Sequence, residues 1–359
     1  MTRRTTTFAV ALALLLGLLI VGSQISVPYV ILLPGPVTDT LGNVPAGDTA
    51  NGRPGGPVIQ ISGVKTQPTN GHLYLTTVEE LPGDCDQHPS LWHAIKAWFS
   101  KTETVEPQQV ECPPGETAQA DQQKSVQEMS ESQVHAITAA LTELGYTSTG
   151  NRIAVASVES GTPAAKVLHA GDVIEAVNGH QIHSVTQLRA AVSAKPAPAP
   201  LQLTIQRSGG TQTVSTTSIK GKNGMPMIGI GAVLAPTFNG IEVNIGIDPD
   251  VIGGPSAGTA LALGIIDKLT PGGLTGGRTI AGTGTVSATG KVGPIGGIQQ
   301  KIAAAVRAHA TVFFAPASEC PDAKAAAPSS LTLVKITTLH EAVTSLQAIK
   351  AGSTAFPHC

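Results

Sequence analysis

The sequence predicts an α/β (α+β) chain of several domains behind an apolar N-terminal helix. Three observations carry that expectation. An uncharged, strongly apolar run opens the chain just after Arg3 and Arg4. The middle alternates short β-type runs with turn residues. The last third mixes strand and helix patterns around two Gly-rich turns. At 359 residues with 41% hydrophobic residues, the chain can build real cores, which excludes wholesale disorder. A net charge of −2 and a pI near 6.5 leave no basic field of the kind nucleic-acid binding needs.

The N-terminal run is apolar from Phe8 to Val21, and the next charge after Arg4 is Asp39. A spanning helix needs about 20 apolar residues. Ile25, Val27 and residues 29–33 extend the run, so residues 8–33 read as a transmembrane anchor and residues 1–7 as a cytoplasmic N-terminus. The rival is a cleaved signal peptide, for which Val21-Gly22-Ser23 is a loose cleavage site. Both readings export the remainder. Arg3 and Arg4 hold the N-terminus inside, giving a single-pass cell-membrane protein with its domains outside the cytoplasm.

Cysteine usage fits that compartment. Cys85, Cys112, Cys320 and Cys359 make an even set with no C-x-x-C spacing. Disulfides are expected outside the cytoplasm. Locality favours Cys85 with Cys112 and Cys320 with Cys359; the other pairings, or four buried thiols, stay open.

Residues 34–130 read as a linker followed by a small α/β region. Residues 34–56 are rich in Gly, Pro, Thr and Asn. Residues 58–64 and 72–78 read as strands, and residues 91–100 have helical spacing, with Trp92 and Trp98 expected in a core. Residues 103–124 read as a polar loop. From Ser130 the stripe Val134, Ile137, Leu141, Leu144 predicts a helix capped by Ser130 or Ser132 and ended by Gly145.

Residues 131–220 form a β-rich domain with that leading helix. Strands are expected around Asn178-Gly179, a strong hairpin turn, with a short helix over 186–193 and closing strands at 201–207 and 212–217. The run Val155-x-x-Val158-x-x-Gly161-Thr162-Pro163-Ala164, then Leu168-x-x-Gly171-Asp172-x-Ile174-x-x-Val177-Asn178-Gly179, resembles a PDZ domain. The resemblance implies a groove that takes a peptide as an extra strand, with a carboxylate-capturing loop near Tyr146, Gly150 and Asn151. A PDZ fold used only as a spacer is the alternative.

After a linker over 221–227, residues 228–350 form the last domain and 351–359 a C-terminal tail. Strands are expected at 228–234 and 240–247. Gly254-Pro255-Ser256-Ala257-Gly258 then precedes a strong helix pattern over 257–269. A phosphate loop would need Lys and Ser/Thr after Gly258, but Thr259 and Ala260 follow. A nucleophile elbow fits G-x-S-x-G, with Asp322 and His340 available downstream, yet too few residues separate the serine from the β-rich domain before it to build that fold's long parallel sheet. A serine at a helix start is commonly just a cap. It can also be a nucleophile, because the unpaired N–H groups there stabilise an oxyanion. Lys301 favours the second role. It lies on the stripe Ile298, Ile302, Ala305, Val306, with Gln299, Gln300, Ala303 and Arg307 on other sides. Burial would leave its amine neutral and able to take a serine proton. His180 with His183, and His88 with His93, lack metal-ligand spacing, so no metal or other cofactor is expected.

Together, Gly254-Pro255-Ser256-Ala257-Gly258 and Gly290-x-Val292-x-Pro294-Ile295-Gly296-Gly297-x-x-x-Lys301 resemble the proteolytic domain of Lon-family peptidases, which use a Ser–Lys dyad. The resemblance implies Ser256 as nucleophile, Lys301 as base, and Thr283 of Thr283-Gly284 as a helper that orients the amine. Many energy-dependent members carry Asp three before the serine; Gly253 stands here. Anchor, PDZ-like region and Lon-type domain in that order resemble the exported, ATPase-free branch of the family. That implies protein or peptide substrates outside the cytoplasm, cleavage without ATP, and the capacity to form a homo-oligomer. A membrane-tethered PDZ adaptor with an inactive peptidase domain is the alternative.

Overall fold

The computed structural model describes residues 3–45, 55–82, 87–111, 117–207, 210–221, 224–249 and 251–359. Cys85 and Cys112 lie outside the described residues.

Helix α1 (Arg3–Gln24) opens the chain. Its stretch Thr6–Gln24 is long and apolar enough to cross a membrane, and almost none of it is buried in the protein. The anchor expected to reach residue 33 stops short. Residues 29–33 begin strand β1 (Tyr29–Asp39), where Val30, Ile31 and Leu32 are core. Pro28 explains the break, because its ring and missing N–H cannot continue a helix.

The region read as a linker and small α/β unit does not stand alone. It supplies β1, β2 (Ile59–Ser62), β3 (His72–Leu81), α2 (Leu91–Trp98), β4 (Thr104–Pro107) and α3 (Gln108–Glu111). Strands β1, β3 and β4 join a six-stranded sheet whose other members come from the far end of the chain. The polar stretch expected as a loop over 103–124 contains β4, α3 and the start of α4 (Ala118–Glu143). Helix α4 is capped by Thr117, whose hydroxyl accepts from the Ala120 amide. Ser130 and Ser132 are therefore buried in mid-helix and cap nothing. Gly145, with φ of 83°, does end the helix.

The β-rich domain follows as β5 (Gly150–Val158), β6 (Val173–Val177), β7 (His180–Gln181), α5 (Val185–Ser193), β8 (Pro200–Arg207) and β9 (Gly210–Thr217). The short pair β10 (Ile219–Lys220) and β11 (Pro226–Met227) leads to β12 (Ile230–Thr237). The strand expected over 228–234 as the opening of the last domain belongs to this one. As β12 it pairs instead with β5, from Ile230 beside Val158 to Thr237 beside Gly150. Its inward residues Ile230 and Ala232 pack on this domain's core, which explains the allegiance.

The last domain has β13 (Glu242–Ile245), paired with β2, then α6 (Gly258–Leu269), β14 (Thr279–Gly282), β15 (Thr285–Val286), β16 (Val292–Gly293), α7 (Ile298–Arg307), β17 (Val312–Pro316), α8 (Cys320–Ala326), β18 (Thr332–Ile336) and α9 (Leu339–Lys350). The central sheet runs β18-β17-β14-β3-β1-β4. Its strands β18, β17, β14 and β3 are parallel, with His72 beside Thr279 where the two ends of the chain meet. One face, with Leu73, Leu75, Ile280 and Phe314, packs in the core shared by α4, α6 and α9. The other, with Tyr74, Ala281, Phe313 and Ala315, packs on α7 and α8. The tail lies along β18, where the Lys335 amide bonds to the Pro357 carbonyl, and a Cys320–Cys359 disulfide holds it.

Candidate active site

Ser256 lies on a one-turn 3-10 helix, Pro255–Ala257, that runs straight into α6. Gly254 before it has φ of 79°, a conformation that suits glycine. The turn is held from two sides. From the sheet, the Gly284 amide donates to the Ser256 carbonyl at 3.0 Å, and Thr283 Oγ1 donates to the same oxygen at 3.3 Å. From α4, Ser132 Oγ donates to the Pro255 carbonyl at 2.9 Å, Gln133 Nε2 donates to the Ile247 carbonyl at 3.0 Å, and the Ser125 carbonyl accepts the Gly254 amide at 3.0 Å. A side chain at 253 would run into Ser125, so glycine suits the close approach of α4 there.

Lys301 approaches from α7, the layer on the opposite face of the sheet. Its side chain is 3% exposed, and Nζ donates to Ser256 Oγ at 2.8 Å. Burial lowers its pKa to about 7; the charge of Glu319 opposes that shift. At neutral pH a large share of the amine therefore carries a lone pair, which a general base requires. Ile298, Ile302 and Ala305 are buried around it, while Val306, expected on the same stripe, is 38% exposed. Gln300, expected on another side, is buried; its amide donates to Thr104 Oγ1 at 2.6 Å and ties α7 to β4.

Thr283 sits at the end of β14, fully buried. Its hydrogen bond goes to the Ser256 backbone carbonyl and not to the amine that it was expected to orient. His340 is on α9, paired with Glu143 at 2.7 Å and largely exposed, and Asp322 is on α8; neither joins Ser256. Gly150 and Asn151 lie within β5, and their backbone is already laddered to β12. Tyr146 packs against the main core. Among the described residues no open strand edge stands beside these three; the edge of the sheet on that side is β12. Sequence reasoning missed Ser125, Ser132 and Gln133. The available signal was a pair of serines, Ser130 and Ser132, placed where a helix interior has no need of a cap.

Residues 129–217 match the PDZ domain family, and residues 238–348 match the Lon protease (S16) C-terminal proteolytic domain. The chain carries a PDZ domain followed by a Lon-type proteolytic domain. The Lon protease of Neorickettsia sennetsu is 35% identical over 94 residues, 25% of this chain and 11% of that protein. The Lon protease of Trichlorobacter lovleyi is 39% identical over 88 residues, 24% of this chain and 10% of that protein. The chain thus spans about a tenth of the length of these relatives. The solved PDZ domain of the SdrC-like protein of Listeria monocytogenes is 28% identical, covering 24% of this chain and 90% of that one, with a TM-score of 0.22. Strand β12 falls between the two matched ranges, yet it completes the PDZ sheet; β1, β3 and β4 fall before both, yet they complete the sheet of the proteolytic domain.

Proposed function

We propose that this chain is a membrane-anchored serine endopeptidase that works without ATP, with Ser256 as nucleophile and Lys301 as general base. The observation that carries the reading is the 2.8 Å contact between a hydroxyl at a helix mouth and a 3% exposed lysine amine. With the amine neutral, the direction of that hydrogen bond reverses and the hydroxyl donates. Ser256 Oγ attacks the peptide carbonyl carbon as its proton passes to Lys301 Nζ. The negative charge formed on the carbonyl oxygen is favoured at the N-terminal end of α6. The ammonium then protonates the leaving amine nitrogen, the C–N bond breaks, and an ester to Ser256 remains. Water attacks that ester, giving its proton to the neutral amine, and the serine recovers its hydrogen.

α1 crosses the membrane with Arg3 and Arg4 inside, so the substrates are extracytoplasmic or membrane-associated proteins. Without a motor, they are cut in segments that are already flexible. Peptide recognition falls to the PDZ domain by strand addition along β12, the edge strand beside α5, and not along β5.

The test is cleavage of an unfolded protein by the full-length chain in vesicles, with no nucleotide added. Wild type should cut and Ser256→Ala should not. Equal rates from the two would remove Ser256 as nucleophile.

A further inference from the structure

Helix α2 packs in reverse. Its large apolar residues, Leu91, Trp92, Ile95, Trp98 and then Phe99, share one face. Yet the face turned to the protein is the small one, where Ala94 is 5% and Ala97 1% exposed. Trp98 is 73% exposed and Phe99 86%. Leu91, Trp92 and Ile95 are half-buried, with the Trp92 ring against α1 at Gly22; a helix that buries alanines and displays Trp98 and Phe99 needs a cover from outside.

The identity of the cover follows from α1. The Trp92 indole donates from Nε1 to the Leu19 carbonyl at 2.9 Å, and the Leu91 amide bonds to Ile25 just past the helix end. Leu19 is five residues before Gln24, or about 7 Å along the helix at 1.5 Å per residue. If α1 crosses the bilayer, Trp92 is held at the depth of the headgroups and upper acyl chains, where tryptophan is enriched. The sheet register agrees. Tyr29 lies beside Pro107 and Ile31 beside Leu81, so exposed Leu81 and the exposed Val110 of α3 crowd the end of the sheet next to α1.

We propose that α2 is an interfacial helix: Trp92, Trp98 and Phe99 insert into the outer surface of the same bilayer that α1 spans and seat the proteolytic domain directly on the membrane. This rests on α1 being the anchor proposed above. The domain then works on segments of substrate close to the lipid surface.

The chain holds only two tryptophans, Trp92 and Trp98, so its own fluorescence reports on both. The full-length protein is reconstituted in phosphatidylcholine/phosphatidylglycerol vesicles, as wild type and as Trp92→Phe and Trp98→Phe. Lipids brominated near the glycerol end of their chains should quench each single-tryptophan variant and the wild type, and aqueous iodide should quench little. Quenching of Trp98 by iodide and not by brominated lipid overturns the inference while α1 stands. Shielding of Trp98 from both quenchers also overturns it, because the cover is then protein, such as a second copy. A chain washed off the vesicles by alkaline carbonate removes the anchor, and this inference with it.

Discussion

The PDZ domain and the proteolytic domain differ in how the chain supplies them. The PDZ sheet comes from one continuous stretch, β5 through β12, whose last strand closes back onto its first. The proteolytic sheet is shared between the two ends of the chain: β3 is a parallel neighbour of β14, and the whole PDZ domain is inserted between them. Lys301 therefore depends on residues that precede the PDZ domain, since α7 packs on β1 and β3. A fragment that begins at the PDZ domain would lack half of the sheet.

The largest test of that contrast is one buried charge in each sheet. Ile31 in β1 is 2% exposed and Leu203 in β8 is 0% exposed. An aspartate at either place costs about 4 kcal/mol or more, the range of uncompensated buried charge. Ile31→Asp should abolish cleavage even of a short fluorogenic peptide. Leu203→Asp should leave short-peptide cleavage within about tenfold of wild type, because it breaks only the sheet proposed to recognise longer substrates. Equal loss from both would mean that the two domains unfold as one.

The next effect concerns the amine. Lys301→Met should lower kcat by about 10²- to 10⁴-fold, the usual worth of a general base. In the wild type, kcat/KM should rise as pH passes upward through about 7, where Lys301 loses its proton. Stability follows the same group. The folded value lies below the ordinary lysine range, so between about pH 7 and that range the unfolded chain binds the proton that the folded chain has released. Stability should therefore increase with pH across that window, and urea midpoints should show it. In Lys301→Met this part of the slope should disappear; an unchanged slope would mean that the amine is not the buried group responsible.

The same contrast explains what the sequence made legible. The PDZ strands and the Asn178-Gly179 turn are short-range signals: alternation, a hairpin dipeptide, a Gly-Thr-Pro-Ala turn. Ser256 and Lys301 each sit in a local motif, and Lys301 also stands out as a charge on an apolar stripe. What escaped is what only distance brings together. Nothing local in residues 29–39 says that they pair across the insertion, so apolar residues 29–33 read as more anchor. Trp92 and Trp98 read as core because helical spacing shows which residues share a face and not which way the face turns. Thr283 was placed beside the amine by resemblance; its bond to the Ser256 carbonyl depends on where β14 ends.

The smallest expected effects separate the two supports of the Ser256 turn. Thr283, from the discontinuous sheet, holds the Ser256 carbonyl at 3.3 Å; Ser132, from the helix that also packs on the PDZ strands β5 and β12, holds the Pro255 carbonyl at 2.9 Å. Both hydroxyls are buried, so each bond contributes about 1 kcal/mol, or about fivefold in rate if it is needed in the transition state. Thr283→Val and Ser132→Ala should each lower kcat by that amount with KM unchanged, and Thr283→Ser should recover most of the loss. The Gly284 amide still grips the Ser256 carbonyl in Thr283→Val, so Ser132→Ala, at a carbonyl with a shorter bond, should cost more. If the double variant loses the product of the single losses, sheet and helix act on the turn independently. If it loses no more than Ser132→Ala alone, the turn is set from α4. A peptide bound along β12 would then have a direct mechanical route to Ser256.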